Sequence, residues 1–145
     1  RHFNMNTVRI KMGRRQNGFS LIELLVALAI LAILISVCYP AYQQYVLRSY
    51  RSEATTQLQL LANAQEHYLA DYGQYSSDLA ALGLTELQKS KRYRYSLQLS
   101  EQNQAFSATA RPVGLQQADS GCAVFTLNHL GQRNVQSPQY LPCWQ

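Results

Sequence analysis

The sequence predicts an α+β fold in which one long N-terminal helix packs against a small antiparallel sheet. Three observations support this prediction. Residues 19–39 form an almost unbroken apolar run, residues 40–71 continue as an amphipathic helix, and residues 93–127 contain segments in which apolar and polar side chains alternate. Helix followed by a run of strands is typical of this class. A TIM barrel of about 250 residues does not fit within the 145 residues.

The apolar run has the length and polarity of a membrane-spanning helix. Within residues 19–39 only Ser20, Glu23 and Ser36 are not apolar. As a helix this segment measures about 30 Å, the thickness of a bilayer's hydrocarbon core. The sequence therefore divides into a basic leader (1–18), a transmembrane helix (19–39) and a head (40–145).

The charge distribution orients the predicted span. The formal net charge of +5 lies entirely in residues 1–18, which hold five basic side chains and no acid. The rest of the chain sums to zero, with −4 over residues 19–88 and +4 over residues 89–145. Basic residues before a span place its N-terminus in the cytoplasm. The head is therefore expected on the far side of the membrane, outside the cytoplasm, and the basic balance is not evidence for nucleic-acid binding.

An ordinary secretory signal peptide is the alternative interpretation of this segment. The apolar run is longer than the usual 7–15 residues of such a peptide, and no small-residue cleavage site follows it. Glu23 also lies inside the run, where a carboxylate costs about 2.5–3.5 kcal/mol at mid-membrane. Glu23 either reaches the nearby headgroups or serves a purpose beyond that of a plain membrane anchor, which gains nothing from a carboxylate there.

After Pro40 the pattern becomes that of an amphipathic helix. One apolar stripe has spacings of three and four residues: Ala54, Leu58, Leu61, Ala64, Tyr68 and Tyr72. The stripe is expected to pack on the sheet. The whole helix is predicted over residues 20–71, with a bend at Pro40 and a stop at Gly73.

Three segments alternate with period two and predict strands. The first covers residues 93–100, and residues 101–104 form a turn. The second covers residues 106–111 and stops at Pro112, and the third covers residues 123–127. Three or four antiparallel strands are expected. In the first strand Tyr93 and Tyr95 are expected to face the helix, while Arg92 and Arg94 face away from it.

The cysteines fall into two groups. Cys38 lies in the apolar helix and is expected to be a small buried residue there. Cys122 and Cys143 lie in the part placed outside the cytoplasm, where disulfides persist. Because residues 134–142 have little regular pattern, a disulfide is expected to bound this C-terminal loop. Closing it stabilises the fold by about 3 kcal/mol in the chain-entropy model.

The start of the apolar helix resembles the class III signal of type IV pilins. The residues that carry the resemblance are Gly18-Phe19-Ser20-Leu21-Ile22-Glu23-Leu24. It implies that prepilin peptidase cleaves between Gly18 and Phe19 and methylates the Phe19 amine. It also implies that Glu23 engages the Phe19 amine of a neighbouring subunit in the fibre. Pro40 matches the family's helix-kinking proline, and Met5 or Met12 is expected to be the true start.

Later motifs resemble PilE-type minor pilins of type IVa pili. They are Tyr39-Pro-Ala-Tyr42, Arg51-Ser-Glu-Ala54, Asp71-Tyr-Gly-Gln-Tyr75, Cys122-Ala-Val-Phe-Thr-Leu127 and Cys143-Trp144. This implies a subunit that helps prime or complete the pilus. No enzymatic activity, cofactor or metal is expected, because the sequence has no G-x-S-x-G, P-loop or G-x-G-x-x-G motif and its histidines lack metal-ligand spacing. The implied partners are other pilins, prepilin peptidase, the inner-membrane assembly machinery and, before assembly, lipid. The protein is expected in the inner membrane first and in the extracellular pilus afterwards, with twitching, adhesion and DNA uptake downstream.

Two other functions stay open at this point. Lys91, Arg92 and Arg94 alternate with tyrosines, a pattern that can bind DNA through phosphates and bases. A type II secretion pseudopilin is the other alternative. Such proteins commonly hold calcium in this region, but Asp119 is not part of an acidic cluster in the sequence.

Overall fold

A computed structural model describes Gly13 and residues 18–145 of the chain. Apart from Gly13 and Gly18, the predicted leader lies outside the described residues, as do Met5 and Met12. Helix α1 spans Leu21–Tyr72, and strands β1, β2 and β3 span Tyr93–Ser100, Ala105–Pro112 and Phe125–Asn128. Short 3₁₀ helices lie at Thr85–Lys89, Gly114–Ala118, Ser120–Cys122 and Pro138–Trp144. The predicted α+β class is confirmed, with three strands.

The contacts within the chain form two compact units, Arg1–Tyr39 and Pro40–Gln145. In the first unit, the part of α1 up to Tyr39 exposes its side chains, including Leu21, Ile33 and Val37. Its most apolar window has a mean hydropathy of 2.9, so the helix is long and apolar enough to cross a membrane. Pro40 lies inside the helix, and the helical assignment continues through it.

In the second unit, α1 buries one stripe of side chains. Ala54, Leu58 and Leu61 are fully buried, as the spacing predicts, and Leu47 extends the stripe towards the N-terminus. At the other end the prediction is wrong, because Tyr72 is 67% exposed and Ala64 and Tyr68 are only partly buried.

Gln65 takes the place predicted for Ala64 at this end of the stripe. Its side chain is fully buried. Nε2 donates to the Ser76 carbonyl at 2.6 Å, and Oε1 accepts from the Ser76 N–H at 3.0 Å. A buried amide is tolerated when both its donor and its acceptor are used. The bonds to Ser76 therefore explain how a polar side chain ends an apolar stripe.

Helix α1 ends where the sequence predicts. Gly73 has a φ of 72°, and its N–H donates to the Leu69 carbonyl at 2.8 Å. A residue in this left-handed conformation is the usual stop of a helix, and glycine adopts it without steric cost.

The three strands form an antiparallel sheet in the order β1-β2-β3. Tyr95 pairs with Ala110, which in turn pairs with Phe125. The inner face of the sheet joins the buried side chains of α1 in one core that includes Tyr93, Tyr95, Phe106, Phe125 and Leu127. The tyrosines of β1 therefore face the helix, as predicted. Strand β3 begins at Phe125 and not at Ala123, because the chain makes a 3₁₀ turn at Ser120–Cys122 and Ala123 is helical in conformation.

The C-terminal loop is held to the sheet by one disulfide and one asparagine. Cys122 and Cys143 are bonded, with their Cα atoms 6.0 Å apart, so the predicted disulfide is confirmed. Asn134 is 1% exposed. Its Nδ2 donates to the Val124 carbonyl at 2.8 Å, and its Oδ1 accepts from the Thr126 N–H and from the Trp144 indole, both at 2.9 Å.

Candidate functional site

The first candidate site is the start of helix α1, where Ser20 and Glu23 form a reciprocal cap. The Glu23 N–H donates to Ser20 Oγ at 3.2 Å, and the Ser20 N–H donates to Glu23 Oε2 at 3.4 Å. This S-x-x-E arrangement satisfies two of the helix's free N–H groups. The sequence predicts the lipid headgroups or a neighbouring subunit as partners of Glu23; this prediction misses Ser20, although the S-x-x-E spacing indicates it. Phe19 is 90% exposed beside it.

The second candidate site is the outer face of the sheet, where two arginines lie opposite each other. The register pairs Arg94 of β1 directly with Arg111 of β2, and both side chains are exposed. Like charges at directly opposed positions destabilise a sheet. Among the described residues the ion pairs are Arg51–Asp119 and Lys89–Glu86, so neither arginine has an acidic partner there. The two arginines therefore form a small positively charged patch that does not stabilise the fold.

The three basic residues predicted to contact DNA do not share one surface. Lys91 is exposed just before β1. The Arg92 guanidinium lies 4.0 Å from the centre of the Tyr50 ring, on the flank of α1, and its side chain is partly buried. Only Arg94 lies on the outer face, where Arg111 joins it through the register. No local pattern in the sequence singles out Arg111.

A groove of about 600 Å³ runs over the outer face of the sheet next to this pair. Hydroxyl and amide side chains line most of it, including the cross-strand row Ser96–Thr109–Thr126 and, on β1, Gln98. The C-terminal segment forms one wall, because Arg133 bridges to Leu127 of β3 and residues 135–137 line the groove. Arg111 lies at one end of the groove and Glu101 lines it as well.

Asp119 has a structural partner, the Arg51 guanidinium. It is 4% exposed and accepts two hydrogen bonds from the Arg51 guanidinium. The hydrogen bond to Asp119 is the main cause that raises the pKa of Arg51. Within residues 18–145 no three His, Cys, Asp or Glu side chains come together in a way that holds a metal ion.

Two protein families match the chain. The family described as "Type IV minor pilin ComP, DNA uptake sequence receptor" matches residues 40–126, which is more than half of the chain. The "Prokaryotic N-terminal methylation motif" matches residues 13–39.

Individual relatives agree with these matches. Fimbrial protein EcpC of Eikenella corrodens is 36% identical over 73% of this chain and 70% of its own length. Type IV major pilin protein PilE1 of Neisseria gonorrhoeae is 29% identical over 76% of this chain, but only 61% of its own length is covered. The structure of a type IV pilin from Shewanella oneidensis aligns with a TM-score of 0.51 and 25% identity, over 61% of this chain and 91% of that one. The chain belongs to the type IV pilin family.

Proposed function

We propose that this pilin is a minor subunit of a type IV pilus and that its head binds DNA during uptake. The observation that carries the DNA role is the pair of opposed arginines, Arg94 and Arg111, on the outer face of the sheet. Both side chains are exposed, and neither forms an ion pair with an acid among the described residues. The match to a family described as a DNA uptake sequence receptor supports it. Binding through phosphates needs only a few well-placed cations, so the zero net charge of residues 19–145 is no obstacle.

Incorporation into the pilus depends, in this proposal, on processing at Gly18-Phe19. The match to the N-terminal methylation motif supports the cleavage, and the exposed Glu23 at the start of α1 supports the assembly contact. The carboxylate exchanges its bond to the Ser20 N–H for the charged Phe19 amine of a neighbour. That exchange is favourable because an ion pair in a low-dielectric environment is stronger than a long hydrogen bond from a neutral backbone N–H. The subunit stays in the inner membrane, head outward, until it is extracted.

The assembly contact is tested by Glu23→Ala. The variant is expected to be made, cleaved and held in the membrane, but to be scarce in pili sheared from the cells. Asp71→Ala is the matched control, since Asp71 is an exposed acid on the same helix. Normal incorporation of Glu23→Ala would refute the role of Glu23.

The DNA role is tested with the purified full chain in detergent and a short DNA duplex. Affinity is measured between about 50 and 200 mM salt, where each phosphate contact contributes about 0.9 to the slope of log K against log salt. Arg94→Gln and Arg111→Gln are each expected to lower that slope by about 0.9. Arg48→Gln, the loss of one exposed charge on α1, leaves it unchanged. No duplex binding at the lowest salt would refute the proposal.

A further inference from the structure

The groove on the outer face differs in chemistry from the arginine pair beside it. Its lining is largely uncharged: Ser96 and Gln98 of β1 are exposed, and Thr109 of β2 is partly exposed between the strands. Because successive outward side chains on a strand repeat about every 6.8 Å, these residues form a ladder of hydrogen-bonding groups. Asn128, at the β3 side, already uses its amide within its own turn, bonding Leu130 and Gln132.

The shape of the groove is complementary to a ridge. It is open and concave, with the sheet as its floor and residues 135–137 as one wall. In double-stranded DNA the convex elements are the two sugar–phosphate strands, which flank the base-lined grooves. Phosphate and sugar oxygens accept hydrogen bonds from Ser, Thr, Asn and Gln as well as from Arg. A floor of neutral donors, with Arg111 in the lining and Arg94 opposite it across the two strands, therefore matches a single backbone strand.

Single-stranded DNA fits this face poorly. Proteins that bind it stack successive bases on exposed aromatic rings. The four aromatic side chains of the strands, Tyr93, Tyr95, Phe106 and Phe125, are all buried on the inner face. His129, which follows β3, packs edge-on against Phe106. Phe106 and His129 both line the groove, but Phe106 is buried and the partly buried His129 ring packs against Phe106 and Tyr75. The groove therefore has no row of exposed rings on which successive bases can stack.

We infer that this groove holds one sugar–phosphate strand of double-stranded DNA, an inference that rests on the DNA-binding role proposed above. Arg94 and Arg111 neutralise phosphates at one end of the groove. Ser96, Gln98 and Thr109 donate hydrogen bonds to oxygens further along the strand. Glu101, which also lines the groove, repels phosphate and so limits how far the strand follows it.

The test separates the neutral donors from the charges. Gln98→Ala combined with Thr109→Val is expected to weaken duplex binding about tenfold, because hydrogen bonds to charged groups are among the stronger ones. Its salt slope stays that of the wild type, since no charge is lost. Thr56→Val combined with Gln59→Ala removes the same groups from the exposed face of α1 and is the matched control. Thermal unfolding of each variant checks that the fold is intact.

The outcomes distinguish failure of the groove inference from failure of the DNA-binding role. If Arg94→Gln weakens binding but Gln98→Ala with Thr109→Val binds like the control, the groove inference is wrong and the DNA role stands. If the wild type binds no duplex at low salt, both fail. Tighter binding of the single strand of the same sequence than of the duplex also overturns the inference. So does loss of pilus incorporation by the groove variant without loss of DNA affinity, because the face would then be a contact between subunits.

Discussion

Arg51 and Asp119 join helix α1 to the segment that precedes the disulfide. Arg51 Nε donates to Asp119 Oδ2 at 2.7 Å, and Nη2 donates to Oδ1 at 2.6 Å. Gln116 adds a second link, because its Nε2 donates to the Leu47 carbonyl at 2.9 Å and to the Tyr93 hydroxyl at 3.0 Å. The C-terminal part of the head is thus attached to the helix by side chains as well as by the core.

Arg51→Ala is expected to destabilise the head by about 3 kcal/mol. The substitution leaves the Asp119 carboxylate, which is 4% exposed, buried without its cation, and that is the costly way to break an ion pair. Chemical denaturation of the purified protein measures the change. Lys89→Ala is the control, because the Lys89–Glu86 pair is exposed and worth less than about 1 kcal/mol. Equal stability of the two variants would contradict the importance of the buried pair.

Replacing Cys122 and Cys143 by serine is expected to lower the stability of the head by about 3 kcal/mol in the chain-entropy model. The loop that the disulfide closes is 21 residues long in sequence separation. Trp144 packs on Phe125 next to the bond, with ring centres 5.9 Å apart, so its fluorescence reports loosening of the C-terminal end. Cys38→Ser is the control, since Cys38 is a free thiol. An unchanged denaturation midpoint for the double variant would refute the prediction.

Asn134→Gly is expected to destabilise the C-terminal loop only because the hydrogen bonds of the asparagine side chain are lost. Asn134 has a φ of 46°, which glycine adopts freely. The variant nonetheless removes the acceptor of the Trp144 indole and the donor to the Val124 carbonyl, at about 1 kcal/mol for each bond. Asn134→Ala adds the cost of the left-handed backbone and should be less stable still. If the glycine variant matches the wild type by denaturation and Trp144 fluorescence, the side chain is dispensable.

The head is expected to lose stability as the pH rises from about 10 to about 12. Burial raises the pKa of Tyr93 from 10.0 to about 12, and burial also raises the pKa of Tyr95. In that interval the unfolded chain releases the phenol proton while the folded chain retains it, so the free energy of unfolding falls. For Tyr93 the loss approaches about 3 kcal/mol. Below pH 10 the contribution is fully present.

Melting temperatures of the wild type and Tyr93→Phe against pH measure this effect. The variant loses the hydroxyl that accepts from Gln116 and is less stable near neutral pH. The difference in melting temperature between the wild type and Tyr93→Phe is expected to narrow above pH 10, because the variant has no phenol proton to release at this position. Tyr72→Phe, at a 67% exposed residue, is the control. Parallel curves for wild type and Tyr93→Phe would contradict the prediction.

The periodic elements were predictable because their signals are local. Alternation in β1 shows which side chains face inward, and Tyr93 and Tyr95 are buried while Arg94 is not. The stop of α1 at Gly73 and the turn after Ser100 likewise depend on neighbouring residues. The prediction is wrong where a tertiary contact overrides the pattern, as at Gln65, whose amide nitrogen and oxygen each make a hydrogen bond to Ser76.

The candidate sites divide in the same way. The motif around Gly18, Phe19 and Glu23 is continuous in the chain, so it identifies the family and the predicted cleavage site without any knowledge of the fold. The pairing of the two arginines, in contrast, becomes visible only in the folded sheet. Arg94 and Arg111 lie on different strands, and the register that opposes them depends on the β1–β2 turn and on core packing. The same holds for Arg51 and Asp119, because a contact between residues 68 positions apart has no local signal and forms only when helix, sheet and loop pack together.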